Sequence, residues 1–87
     1  MTKSLEKVLT VYQATYVKPT WTTGAAVRVV ETMTGNVTVH AFDHALGGGV
    51  DQYANAVRLA ADNDFDRIVH GGYSSDGWFF IVERTEG

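Results

Sequence analysis

The chain contains no cysteine. Disulfides, thiol catalysis and cysteine-type zinc sites are excluded outright. Proline occurs once, at Pro19, so neither a polyproline segment nor a proline-rich linker is present. No apolar run approaches the roughly 20 residues that a membrane helix needs. The opening stretch MTKSLEKVLTVYQ has lysines but no long apolar core and no small-residue cleavage site, so it does not read as a signal peptide. A soluble, cytoplasmic protein without a membrane partner is expected. Basic residues are also few. Seven are scattered singly along the 87 residues, and phosphate neutralisation needs them clustered. Direct nucleic-acid binding is not expected.

Eighty-seven residues, 45% of them hydrophobic and 11% aromatic, are enough for one core and too few for two. The expectation is a single domain over 1–87. The net charge of −3 is unevenly spread. All six aspartates lie between positions 43 and 76, opposed there only by Arg58 and Arg67, for a local net of −4. Residues 1–42 carry a net of +2.

Hydrophobic periodicity lays out the elements. KVLTVYQATYV, 7–17, is rich in β-branched and aromatic residues and predicts a long strand. Val8, Thr10, Tyr12, Ala14 and Tyr16 share one face; Leu9, Val11, Gln13, Thr15 and Val17 share the other. KPTWTTG, 18–24, reads as a loop, because proline ends ladder pairing. AAVRVVETMTGNVTVHAFD, 25–43, predicts a hairpin turning at Thr34-Gly35-Asn36. The glycines at 47–49 follow. VDQYANAVRLAADND, 50–64, then predicts a helix with Val50, Tyr53, Ala54, Val57, Ala60 and Ala61 on its apolar stripe. Leu59 falls nearly opposite, beside Gln52, Asn55 and Asp62. Asp51 suits the helix start. DRIVHGGY and GWFFIVERT predict two closing strands joined by Ser74-Ser75-Asp76-Gly77. The order is β-β-β-α-β-β. Short connections favour antiparallel neighbours. The fold expected is α+β: one antiparallel sheet of about five strands, with one helix packed on one face.

Four motifs invite a chemical reading. His40 and His44 are four apart, a metal spacing on a helix. On a strand that spacing separates them by roughly 13 Å, too far for one ion. The triglycine after a strand suggests a phosphate cradle. It lacks the Gly-Lys-Ser/Thr and GxGxxG companions, so it reads as a flexible corner that lets the helix pack closely. DNDFD, 62–66, begins like a calcium loop, but its sixth and twelfth places are Arg67 and Tyr73 rather than Gly and Glu. His70, Ser74 or Ser75, and Asp76 hold the letters of a hydrolase triad crowded into one hairpin, without a nucleophile elbow. No catalytic residue, metal or cofactor is assigned.

What remains is binding. Asp62, Asp64 and Asp66 form an acidic flank at the helix end. Leu59 and Asn55 stand on the helix's polar side. Trp21 sits in a loop after proline, and tryptophan is a favoured interface anchor. These six are the candidate contact residues, and their natural partner is a protein with a basic surface. The compact β-rich layout with one helix, without catalytic motifs and with the acidic flank AADNDFD, 60–66, resembles the small proteins that phages encode to block host defence, anti-CRISPR proteins among them. That resemblance implies a non-catalytic inhibitor that binds a CRISPR effector complex in the host cytoplasm. On that reading the chain is a monomer; the alternative is a homodimeric accessory or regulatory domain. It would join copies through the sheet face left bare by the helix, with Trp78 and Phe80 as interface residues. A third reading, a small enzyme or ligand-binding domain, would use His40, His44 and His70 around the glycine corner.

Overall fold

A computed structural model describes residues 6–47, 49–74 and 77–86. Gly48, Ser75 and Asp76, named above in the glycine corner and the final turn, lie outside the described residues. The strands are β1 (Glu6–Val17), β2 (Ala26–Glu31), β3 (Val37–Ala41), β4 (Arg67–Ser74) and β5 (Gly77–Glu86). Between β3 and β4 lie a short 3-10 turn (His44–Leu46) and one helix, α1 (Val50–Ala60). The strands form one sheet in the order β3-β2-β1-β5-β4, antiparallel at every junction. This is the α+β layout the periodicity predicts.

β1 is the central strand, pairing with β2 on one side and β5 on the other. α1 carries the chain over the sheet, from the β3 edge to the β4 edge. It covers the face that carries Tyr12, Ala14, Val27, Val29, Phe80 and Val82, all buried with Ala56 and Val57 of the helix. The register explains the choice. Ala14 stands between Val29 and Trp78, and Tyr12 pairs with Phe80. A small residue flanked by large ones leaves room for the helix at the sheet centre.

Trp78 and Phe80 therefore lie on the covered face, with Phe80 only 1% exposed. The expectation that they mark the bare face is corrected. Strand alternation defines two faces but not which one the helix takes, and β5 is apolar on both. Phe79 and Ile81 are the apolar β5 residues on the uncovered face, across from Gln13 and Val11.

The helix ends at Ala60 rather than running on to Asp64, and it buries Ala56 and Gln52, neither of them on the expected stripe. Gln52, expected on the polar side, is 2% exposed. Its side chain accepts from the Asp43 N–H at 2.8 Å and donates to the Asp43 and Gly47 carbonyls at 2.7 Å each. Gln52 thus pins the 3-10 turn, which itself starts with Asp43 accepting from the Ala45 N–H. The glycine corner is a turn held by one buried amide. Gly47 takes φ +69 and Gly49 caps the helix.

The aspartates after α1 have a backbone role. Asp62 and Asn63 take φ of 56 and 57, the left-handed region that Asp and Asn tolerate best among non-glycine residues. Their N–H groups reach the Leu59 and Arg58 carbonyls at 3.1 and 3.0 Å, closing the helix. The run DND is a stop signal built without glycine.

Candidate functional site: an uncovered apolar sheet face

The face away from α1 follows directly from the register. Its rows are Val17–Ala26–Ala41, Thr15–Arg28–Val39, Val37–Val30–Gln13–Phe79, Val11–Ile81–Val69 and Leu9–Glu83–Arg67. Nine of these side chains are Val, Leu, Ile or Phe. Leu9 is 53% exposed and Val39 61%; Val11, Val17 and Val37 are exposed as well. No element of the described residues packs on them.

An antiparallel sheet with one solvated face normally alternates apolar-in and polar-out. This sheet does not. Its charged side chains on the open face, among those described, are Arg28, Arg67 and Glu83. The last two neutralise each other in a fork, at 3.0 and 3.1 Å. That pair is exposed and adds little stability. A contiguous apolar area of this kind marks a contact surface.

The two sheet edges are unlike. At the two ends of the β2–β3 pair the Glu31 N–H reaches the Asn36 carbonyl, and the Phe42 N–H the Ala25 carbonyl. By strand alternation the even-numbered residues face β2, so Val37, Val39 and Ala41 turn their backbone groups outward. β3 carries no charged residue. The opposite edge, β4, is broken by a bulge between His70 and Gly72.

The six predicted contact residues do not form one site. Asp62, Asp64, Asp66 and Leu59 are exposed around the end of α1. Asp64 pairs with Arg84 at 3.1 Å, and Asp66 accepts a short hydrogen bond from the Thr85 hydroxyl. Asn55 is half-buried one turn before Leu59. Trp21 is 97% exposed, at the tip of a turn in which the Thr20 N–H reaches the Thr23 carbonyl. That turn lies past the far end of β1. The eight steps along β1 from Leu9, beside the acidic flank, to Val17 span roughly 26 Å. Trp21 and the aspartates thus belong to opposite ends of the sheet.

The histidines are also dispersed. His40 Nε2 bonds the Thr38 hydroxyl at 2.8 Å, and partial burial lowers its pKa, keeping it uncharged at neutral pH. His44 opens the 3-10 turn. His70 stacks on Trp78 and Phe80, with ring centres 4.8 and 5.6 Å away. Among the described residues no group of three or more His, Cys, Asp or Glu is placed to hold a metal. No helix among them is long and apolar enough to cross a membrane.

No protein family, curated protein or solved structure matches the chain.

Proposed function

We propose that this is a non-catalytic association domain that works as a homodimer in the cytoplasm, its uncovered sheet face buried against that of a second copy. The observation that carries this reading is the exposure of Leu9, Val11, Val17, Val37 and Val39 on one face. Five strands at ~4.8 Å and about six residues at ~3.3 Å give a face of roughly 24 by 20 Å. Two such faces bury on the order of 1,000 Å², the lower bound for a specific interface. Among the described residues the face holds one cation outside an ion pair, Arg28, and one self-neutralised pair, so these call for no strongly charged partner.

Solution mass by light scattering tests the reading. The expected mass is twice the 9.5 kDa of one chain, unchanged between low and physiological salt. Val11→Lys, on an exposed position at the face's centre, is expected to return it to one chain without loss of fold. A wild-type monomer at tens of micromolar would sink the proposal.

A second reading keeps the acidic flank as a docking surface for a basic partner, such as a CRISPR effector complex. It is favoured by the exposure of Asp62, Asp64, Asp66 and Leu59 together at the helix end, and it is the reading that the likeness to phage-encoded inhibitors implies. It predicts binding that weakens with salt and is abolished by Asp64→Lys, which Val11→Lys leaves intact.

A further inference from the structure

On the helix side, away from the open face, four aromatic side chains surround one cavity of about 190 Å³. Its walls are Tyr16 from β1, Tyr53 from the first turns of α1, and Tyr73 and Trp78 from the β4–β5 hairpin; Ala14, Thr15 and Gly77 complete the lining. The sequence scatters these residues, and the register gathers them. Trp78 pairs with both Ala14 and Tyr73, and Tyr16 follows Ala14 on the same face of β1. Gly77 is small by necessity. A side chain on Gly77 would meet the Ala14 carbonyl at 2.5 Å, and its φ of +122 suits glycine alone.

The cage is braced. Tyr73 and Tyr53 lie 4.9 and 6.0 Å from Trp78, ring centre to ring centre. His70 backs Trp78, and Phe42 meets Tyr16 edge-on at 5.6 Å. Burial raises the Tyr53 phenol's pKa, and the neighbouring Tyr73 and Tyr16 push it the same way, so this phenol faces the cavity as a neutral, electron-rich group. None of the described lining residues is charged, and no amide side chain is present to bond a sugar or an anion. The chain as a whole carries −3.

We propose that this cage, formed by Tyr16, Tyr53, Tyr73 and Trp78, binds a trimethylammonium group. A quaternary ammonium has no N–H to satisfy and is attracted to ring faces through their quadrupoles. A cavity of ~150 Å³ already admits a six-carbon ring, and a trimethylammonium head with its first methylene has five heavy atoms. The head group can come from choline or from a trimethylated lysine. This site is independent of the open face and stands whether or not that face forms a dimer.

The test uses Trp21→Phe, which leaves Trp78 as the only tryptophan of the two in the chain. Trp78 fluorescence is followed while choline, a trimethyllysine peptide, or the neutral isostere 3,3-dimethylbutan-1-ol is added. Saturable binding of a cation in the millimolar range or tighter is expected, roughly ten-fold tighter than the neutral isostere. Whichever cation binds more tightly names the source. Tyr73 is 69% exposed, so Tyr73→Ala is expected to stay folded by circular dichroism and lose binding, while Tyr73→Phe keeps it. Equal binding of isostere and cation, no saturable response to either cation, or full binding by folded Tyr73→Ala would overturn the proposal.

Discussion

Phe80→Ala is expected to leave this protein largely unfolded near physiological temperature. Phe80 is the largest fully buried side chain, at the centre of the covered face. It packs between β1 and β4, opposite Tyr12 on one side and His70 on the other. Truncating a buried phenylalanine costs about 3–5 kcal/mol, from lost transfer energy plus the cavity left behind. A chain of this size holds roughly 4–13 kcal/mol in all. At 4–8 °C per kcal/mol for a domain of this length, the midpoint should fall by roughly 12–40 °C. Thermal unfolding by circular dichroism measures it. Trp21→Ala, at the most exposed aromatic, is the control, expected within about 0.5 kcal/mol of wild type. A small effect for Phe80→Ala would mean that the helix does not pack where the register places it.

Gln52→Leu is the second large effect, and its cause is polar. The leucine fits the volume but leaves the Asp43 N–H without its acceptor and the Asp43 and Gly47 carbonyls without their donors. An orphaned buried group costs about 1–3 kcal/mol; these three hydrogen bonds are part-buried, and two of the groups are carbonyls, which tolerate it better. A loss of about 2–4 kcal/mol is expected. It is accompanied by faster amide hydrogen exchange at Asp43, which separates a broken turn from a general loss of stability. Gln52→Glu sharpens the point. Its carboxylate would face two carbonyl oxygens in a buried site, so the folded-state pKa rises above the ordinary ~4.3. A raised pKa means that the folded form holds the proton more tightly than the unfolded one. Stability is then fully present below about pH 4.3 and is lost as pH rises through the folded-state value. The deficit relative to wild type should therefore grow from pH 4 to pH 7, in denaturant titrations at each pH. A deficit independent of pH would place Gln52 in water rather than in the turn.

Much of this architecture is legible in the amino-acid order. β1, the β2–β3 hairpin, α1 and the last two strands follow from periods of 2 and 3.6, and from glycine and asparagine at the turns. What periodicity does not carry is the third dimension. Nothing local says that β1 pairs with β5, more than sixty residues away, and that pairing decides which face of Trp78 and Phe80 is covered. Gln52 was hidden for a related reason. A glutamine on the shoulder of a helix reads as solvated unless the loop before it is known to return and offer three backbone groups. The run DNDFD carries a signal that charge obscures: Asp and Asn, the residues most at ease with positive φ, fall where the helix must end. The candidate surface was the least legible. Each strand's outward residues are visible in turn, but only the register adds Val11, Ile81, Val37 and Val39 into one area. It also sends Trp21 and the acidic flank to opposite ends.

The unlike edges of the sheet set a limit on growth. A strand can add beside β3, where uncharged residues turn three pairs of backbone groups to solvent, but the bulge at Gly71 interrupts a regular ladder beside β4. Chains with two receptive edges can join head to tail without end. This one can only meet its own kind edge to like edge, about a twofold axis, and each such meeting uses up the receptive edge of both copies. Backbone pairing taken alone therefore joins no more than two copies.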